Sequence, residues 1–213
     1  MKIKWFGHSC FLLTSDNGVN ILIDPFDVSV GYKLPEVAAD IVSTSHEHFD
    51  HNNTEIVQGD FYHVNKTGTF SHKGIEMKGV ATYHDEVNGE ERGHNIIYKY
   101  IIDGLHICHC GDLGHTLSEE QIKQIGHVDT LLIPVGGIAT IGPEQAVDTI
   151  KRLKPSLVIP MHFHTDVLNF TLGKLEHFLE KIGGGHHLGK QEIEFDKNTL
   201  SNLPPNVMVL NYE

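Results

Sequence analysis

At 213 residues the chain is long enough for one domain with a substantial core, and a single domain over residues 1–213 is the expectation. Sixteen basic residues against 28 acidic ones give a formal charge of −12 with histidines neutral, which argues against nucleic acid or an anionic membrane surface as partner and points to a small-molecule substrate. Three cysteines, Cys10, Cys108 and Cys110, are too few and too irregular for a disulfide scaffold, so a reducing compartment, the cytoplasm, is the expected location. The opening "MKIKWFGHSC" is interrupted by Gly7 and His8 and lacks a signal peptide's apolar stretch, and no run approaches the length of a membrane span.

In chain order, "IKWFG", "CFLLTS" and "VNILID" read as strands separated by turn residues, with "DNG" a tight-turn signal between the last two. Residues 61–110 continue in β-like runs, "VATYH", "NIIYKYIID" and "LHICHC". From Ser118 the pattern changes. "SEEQIKQIG" carries a Ser cap, a Gln three residues on and a terminating Gly126; "PEQAVDTIKRL" opens on Pro143 with Ala146, Val147, Ile150 and Leu153 on one face; a third helix is predicted over 172–182. "DTLLIPV" and "SLVIPM" read as buried strands between them, and "GGGHHLGK" as a surface loop. The class is α/β, with helices covering sheet faces.

Seventeen histidines are more than packing or solvation requires, and "SHEHFDH", Ser45–His51, places three of them with two acids directly after an apolar strand. If the segment leaves the strand extended, His46 and His48 point to one side, while Asp50 and His51 face a neighbouring position once the chain turns. Glu47 then points outward. A buried carboxylate among imidazoles needs charge compensation, and divalent cations supply it. A catalytic metal site needs further ligands, and His84, Asp112 and His162 each follow an apolar run that delivers them to a common rim. Gly136–Gly137 suits close backbone approach to such a centre rather than phosphate cradling. Cys108 and Cys110 fit small packing residues near its floor.

"HEHFDH" matches the H-x-H-x-D-H signature of the metallo-β-lactamase fold superfamily. "WFGHSCFLL", "ILIDPF", "ERGHN", "GDLGH", "VDTLLIPVGG" and "VIPMHFHT" extend the likeness over most of the chain. They resemble the uncharacterised metal-dependent hydrolase group of that superfamily, with ascorbate-phosphate lactonase-like proteins as more distant relatives. The resemblance implies an αββα sandwich, two mixed β-sheets face to face with helices outside and metals at one edge. It assigns His46, His48 and His84 to a first metal, Asp50, His51 and His162 to a second, and Asp112 to a bridge between them. Asp24 would lie beneath and orient ligands, and His8 would approach from the substrate side. The candidate catalytic residues are Asp50, Asp112, His8 and His115, although His8 and His115 also suit structural roles. His164 enters the site only if its strand continues.

The expected chemistry is hydrolysis of a small molecule, a lactone or ester or else a phosphodiester or phosphorylated metabolite, by a hydroxide bridging two divalent ions, zinc or manganese, with iron as a further candidate. A nuclease-like phosphodiesterase is the alternative, but the acidic charge opposes polyanions. A diiron redox protein of this fold typically trades one histidine of the H-x-H pair for glutamate, whereas here both are present. A non-catalytic metal-binding module would not need the whole ligand set. A homo-oligomer is compatible with all of these.

Overall fold

The computed structural model describes residues 1–200 and 207–212. The first sheet takes β1 (Lys2–Gly7), β2 (Cys10–Thr14), β3 (Asn20–Ile23), β4 (Ile41–Ser43) and β5 (Tyr62–Val64). The second takes β6 (Gly68–His72), β7 (Ile75–Tyr83), β8 (His94–Ile102), β9 (Leu105–His109), β10 (Thr130–Pro134) and β11 (Leu157–Met161). Two-residue β12 (His186–His187) and β14 (Met208–Val209) pair with each other, and β13 (Glu192–Glu194) joins the first sheet beside β1. Both large sheets are mixed: β13-β1-β2-β3 run antiparallel and β3-β4-β5 parallel, while β6-β7-β8-β9 run antiparallel and β9-β10-β11 parallel.

Alternation builds the sandwich. In β1 to β4, Ile3, Trp5, Phe11, Leu13, Ile21, Ile23 and Ile41 enter the shared core with residues of the second sheet. Their neighbours Phe6, Cys10, Leu22 and Val42 enter a smaller cluster with Phe26, Val30 and Tyr32 from the following loop. The sheets are therefore face to face, and a buried hydrogen bond of 2.6 Å between the Ser43 and Tyr100 hydroxyls ties β4 to β8. The continuous apolar runs of β10 and β11 are buried along their whole length, as parallel strands covered on both faces require.

Helix α1 (Glu119–Ile125) lies on β7, α2 (Pro143–Leu153) on β10 and α3 (Leu175–Ile182) on α2. The predicted capping box is present: Ser118 Oγ accepts from the Gln121 amide and the Gln121 side chain returns to the Ser118 amide. The outer face of the first sheet is covered by loops and single 3-10 turns.

Two expectations are corrected. The third helix begins at Leu175 rather than 172, because Gly173 donates its N–H to the Gly136 carbonyl at 2.8 Å and accepts from the His164 amide at 2.9 Å, bridging two loops beneath the site. "GGGHHLGK" is not wholly loop, since His186–His187 pairs in parallel with Met208–Val209.

Candidate metal centre

The candidate residues converge because they all follow strand ends at one edge of the sandwich. His8 comes directly after β1, Asp24 after β3, His84 after β7 and His162 after β11, with Asp112 three residues beyond β9 and His46 three beyond β4. His8, Asp24 and His162 adopt left-handed backbone angles, φ of 50°, 46° and 51°, which turn each side chain sharply off its strand. Three such non-glycine residues at one rim cost of order 1–3 kcal/mol each, a strain that concentrates where geometry serves function.

The HEHFDH segment is bent rather than extended. Even so, the His46 and His48 rings meet, with centroids 4.5 Å apart, and the His51 amide donates back to the His48 carbonyl at 2.9 Å. The turn brings Asp50 and His51 round to the second group. His46, His48 and His84 can share one ion, His8, Asp50, His51 and His162 can share another, and His46, His51 and Asp112 connect the two sets. Asp112 Oδ2 lies 3.2 Å from His51 Nε2, 3.2 Å from His84 Nε2 and 3.1 Å from His162 Nε2. Asp112 is itself held by Asn95, whose side-chain oxygen accepts the Asp112 amide at 2.9 Å while its NH₂ donates to Thr82 and to the Cys110 carbonyl.

Beneath the cluster, fully buried Asp24 sets the imidazole tautomers. Its Oδ1 accepts the Ser45 amide at 2.8 Å, and its Oδ2 accepts both the Ser45 hydroxyl at 2.6 Å and His51 Nδ1–H at 2.9 Å. Because the Ser45 proton is already given to Asp24, Ser45 Oγ must accept Nδ1–H of His46 at 2.9 Å. Both histidines therefore present a bare Nε2 lone pair to the Asp112 carboxylate. His46 Nε2, His51 Nε2 and Asp112 Oδ1 are buried with no hydrogen-bond partner, an opposition of acceptors that a cation resolves.

The electrostatics agree. Burial, reinforced by His51, pushes His46 down to about 3. Burial also pushes down His51, but the Asp112 and Asp50 carboxylates outweigh it and hold that imidazole above its usual range. Asp112 resists burial through His162 and His51 and titrates well below an ordinary carboxyl. His8 is pushed down to about 4 by burial and by His162.

His8 is buried beside the cluster, its Nε2 3.1 Å from Asp50 Oδ2 and its ring against those of His51 and His162. It therefore supports the second set rather than facing substrate. His115 is not brought to the cluster: its Nε2 accepts the Tyr83 amide and its Nδ1–H donates to the Thr116 carbonyl, leaving neither nitrogen for chemistry. His164 is turned away from the expected alternation because β11 ends at Met161 and His162 is left-handed. Glu47 is exposed, as the spacing implies. Buried His109 donates Nε2–H to the Ser9 carbonyl and accepts the Gly111 amide, a packing role. At Gly136 a Cβ would lie 2.3 Å from the His162 carbonyl, so the glycine permits the close approach expected of it. Ser45 and Asn95 bond to cluster residues and Asp85 adjoins His84, and no spacing or motif in the sequence singles them out.

The cluster opens into a cleft of about 650 Å³, reached by His48, Asp50, His84, Asp112 and His162, with Phe49 and Ile138 on its rim.

Two face-to-face mixed sheets with a histidine–aspartate cluster at their common edge define a metallohydrolase-type domain. Residues 2–162 match the family described as "Beta-lactamase superfamily domain". A UPF0173 metal-dependent hydrolase from Thermoplasma acidophilum is 32% identical over 192 residues, covering 78% of this chain and 84% of the relative. Its counterpart in Thermoplasma volcanium is 30% identical over 192 residues, with 78% and 84% covered. A crystal structure from Thermotoga maritima, assigned as a Zn-dependent hydrolase of the metallo-β-lactamase superfamily, aligns at a TM-score of 0.79 and 36% identity over 98% of this chain and 97% of that one. The chain belongs to the metallo-β-lactamase superfamily and, within it, to the UPF0173 metal-dependent hydrolase family.

Proposed function

We propose that the protein holds two divalent metal ions, zinc or manganese before iron, and hydrolyses a small-molecule ester, lactone or phosphodiester. The observation that carries this reading is the Asp112 carboxylate, one oxygen of which lies 3.1–3.2 Å from imidazoles of both ligand sets. His46, His48 and His84 would hold one ion, Asp50, His51 and His162 the other, with Asp112 between them. Bound there, the pair supplies an acidified water as nucleophile and a Lewis acid for the substrate oxygen.

The chain's own residues do the rest. Asp24 and Ser45 fix the tautomers that present Nε2 of His51 and His46. His8 anchors the Asp50 carboxylate, and Asn95 anchors the backbone at Asp112. Mixed imidazole and carboxylate donors suit zinc, manganese or iron, and thiolates take no part because all three cysteines are buried in apolar clusters.

The test is turnover by zinc- or manganese-reconstituted protein of an aliphatic lactone, a 4-nitrophenyl ester and bis(4-nitrophenyl) phosphate. At least one class is hydrolysed, activity disappears on chelation and it returns on adding the ion back. No turnover of any class at two ions per chain contradicts the hydrolytic reading.

A further inference from the structure

The sequence contains two arginines. Arg152 is fully engaged on the outer surface, donating to the Leu117 carbonyl and pairing with Glu119 at 2.7 Å and Asp148 at 3.8 Å. Arg92 is different. Among the described residues its guanidinium makes no hydrogen bond or ion pair, and it lines the cleft that opens over His84 and Asp112. Of the two guanidinium groups, the one without an internal partner therefore stands at this cleft.

The backbone beneath this side chain is built. Arg92 lies in the connection from β7 to β8, which closes on itself where the His84 amide donates to the Gly93 carbonyl at 3.0 Å, so Arg92 sits beside a candidate metal ligand. The connection folds around the buried Asp85, whose carboxylate accepts four backbone N–H groups: Val87 at 3.0 Å, Gly89 at 2.7 Å, Glu91 at 3.0 Å and Arg92 at 2.8 Å. A carboxylate saturated by backbone donors fixes a loop, and here it fixes the Arg92 backbone. Glu47 lines the same cleft, but its carboxylate accepts from the Asn52 side-chain NH₂ and makes no ion pair with Arg92.

Apart from the histidine–aspartate cluster and Thr171, the remaining lining of the cleft is apolar. Phe49 is 56% and Ile138 66% exposed, and Phe170 and Leu172 also line it. Scattered exposed apolar side chains need no explanation, but two on the rim of one cleft facing a cation form an amphipathic site.

We propose that Arg92 binds an anionic substituent, a carboxylate or phosphate, of an amphipathic substrate whose apolar part lies against Phe49 and Ile138 while its scissile bond meets the histidine–aspartate cluster. The assignment of a scissile bond rests on the hydrolytic reading above. The planar fork of arginine matches either anion through paired N–H donors, which lysine cannot reproduce.

Binding is measured first, by calorimetry on chelated protein, where no ion competes for the ligand. The probes are 4-phenylbutyrate and phenyl phosphate, with neutral 4-phenylbutyramide as reference. Wild type binds at least one anion roughly tenfold tighter than the amide, and which anion it prefers separates carboxylate from phosphate recognition. Arg92→Ala abolishes that preference without changing amide affinity, and Arg92→Lys restores it only in part. The side chain makes no internal bond, so both variants fold, with melting temperatures matching wild type. A preference absent from wild type, or unchanged in Arg92→Ala, overturns the proposal.

Kinetics separate this idea from the one it rests on. With zinc-loaded protein, mono-(4-nitrophenyl) glutarate is compared with 4-nitrophenyl butyrate. The ratio of their kcat/KM values falls roughly tenfold in Arg92→Ala, through KM of the anionic ester. Turnover of both esters with an unchanged ratio overturns the anion site and leaves the hydrolase. Turnover of neither ester and of none of the lactone, ester and phosphodiester probes above, with an Arg92-dependent binding preference, overturns the hydrolase and leaves the anion site.

Discussion

Asp112→Ala lowers kcat/KM for any hydrolysed substrate by on the order of 10³ and leaves a folded protein. The carboxylate is the group that both proposed ligand sets face, with three imidazole Nε2 atoms at 3.1–3.2 Å from one oxygen, so its loss removes the carboxylate that would stand between the two proposed ions. Folding is spared because the Asp112 amide keeps its bond to Asn95 and the sheets' shared core lies elsewhere. In the absence of metal the truncation also removes a carboxylate packed among imidazoles, so a melting temperature within a few degrees of metal-depleted wild type is expected. A folded Asp112→Ala variant with undiminished turnover contradicts the bridged arrangement.

The second large effect separates stability from metal binding at Asp24. Asp24→Ala strands the Ser45 amide, the Ser45 hydroxyl and His51 Nδ1–H in a buried site, and breaking such a buried charged group costs about 3–5 kcal/mol, read as a lower urea midpoint. Asp24→Asn is more informative. Its Oδ1 still accepts the Ser45 amide, but its NH₂ replaces Oδ2 and confronts two donors, the Ser45 hydroxyl and His51 Nδ1–H. His51 must then move its proton to Nε2, the atom that faces Asp112, and can no longer offer a lone pair there. The expected result is a smaller loss of stability than in the alanine variant, with metal affinity reduced about 10–100-fold in equilibrium dialysis. Wild-type affinity in Asp24→Asn contradicts the tautomer argument.

Much of the site was legible because its chemistry is local in sequence. HEHFDH packs four of the seven proposed ligands into six residues, and His84, Asp112 and His162 each follow a strand whose alternation or apolar run is plain. The strands themselves were legible for the same reason, since Ile3, Trp5, Phe11 and Leu13 face one core while Phe6 and Cys10 face the other. What escaped depends on groups brought together only by folding. Asn95 meets Asp112 across 17 residues, and the pairing has no sequence period. His115 misled for a related reason: it stands three residues from Asp112, but the chain turns after Gly114, where a Cβ would lie 2.2 Å from the His84 backbone, and carries the ring to Tyr83 instead. Arg92 was invisible as a candidate because nothing local marks a loop wrapped around the carboxylate of Asp85.

Whether two ions occupy the one cluster is read by elemental analysis of the protein purified without chelator or metal-affinity resin. Close to two zinc or manganese ions per chain are expected, falling to about one or fewer in Asp112→Ala. Metal well below one per wild-type chain, not restored by soaking in zinc or manganese, would contradict two-ion occupancy.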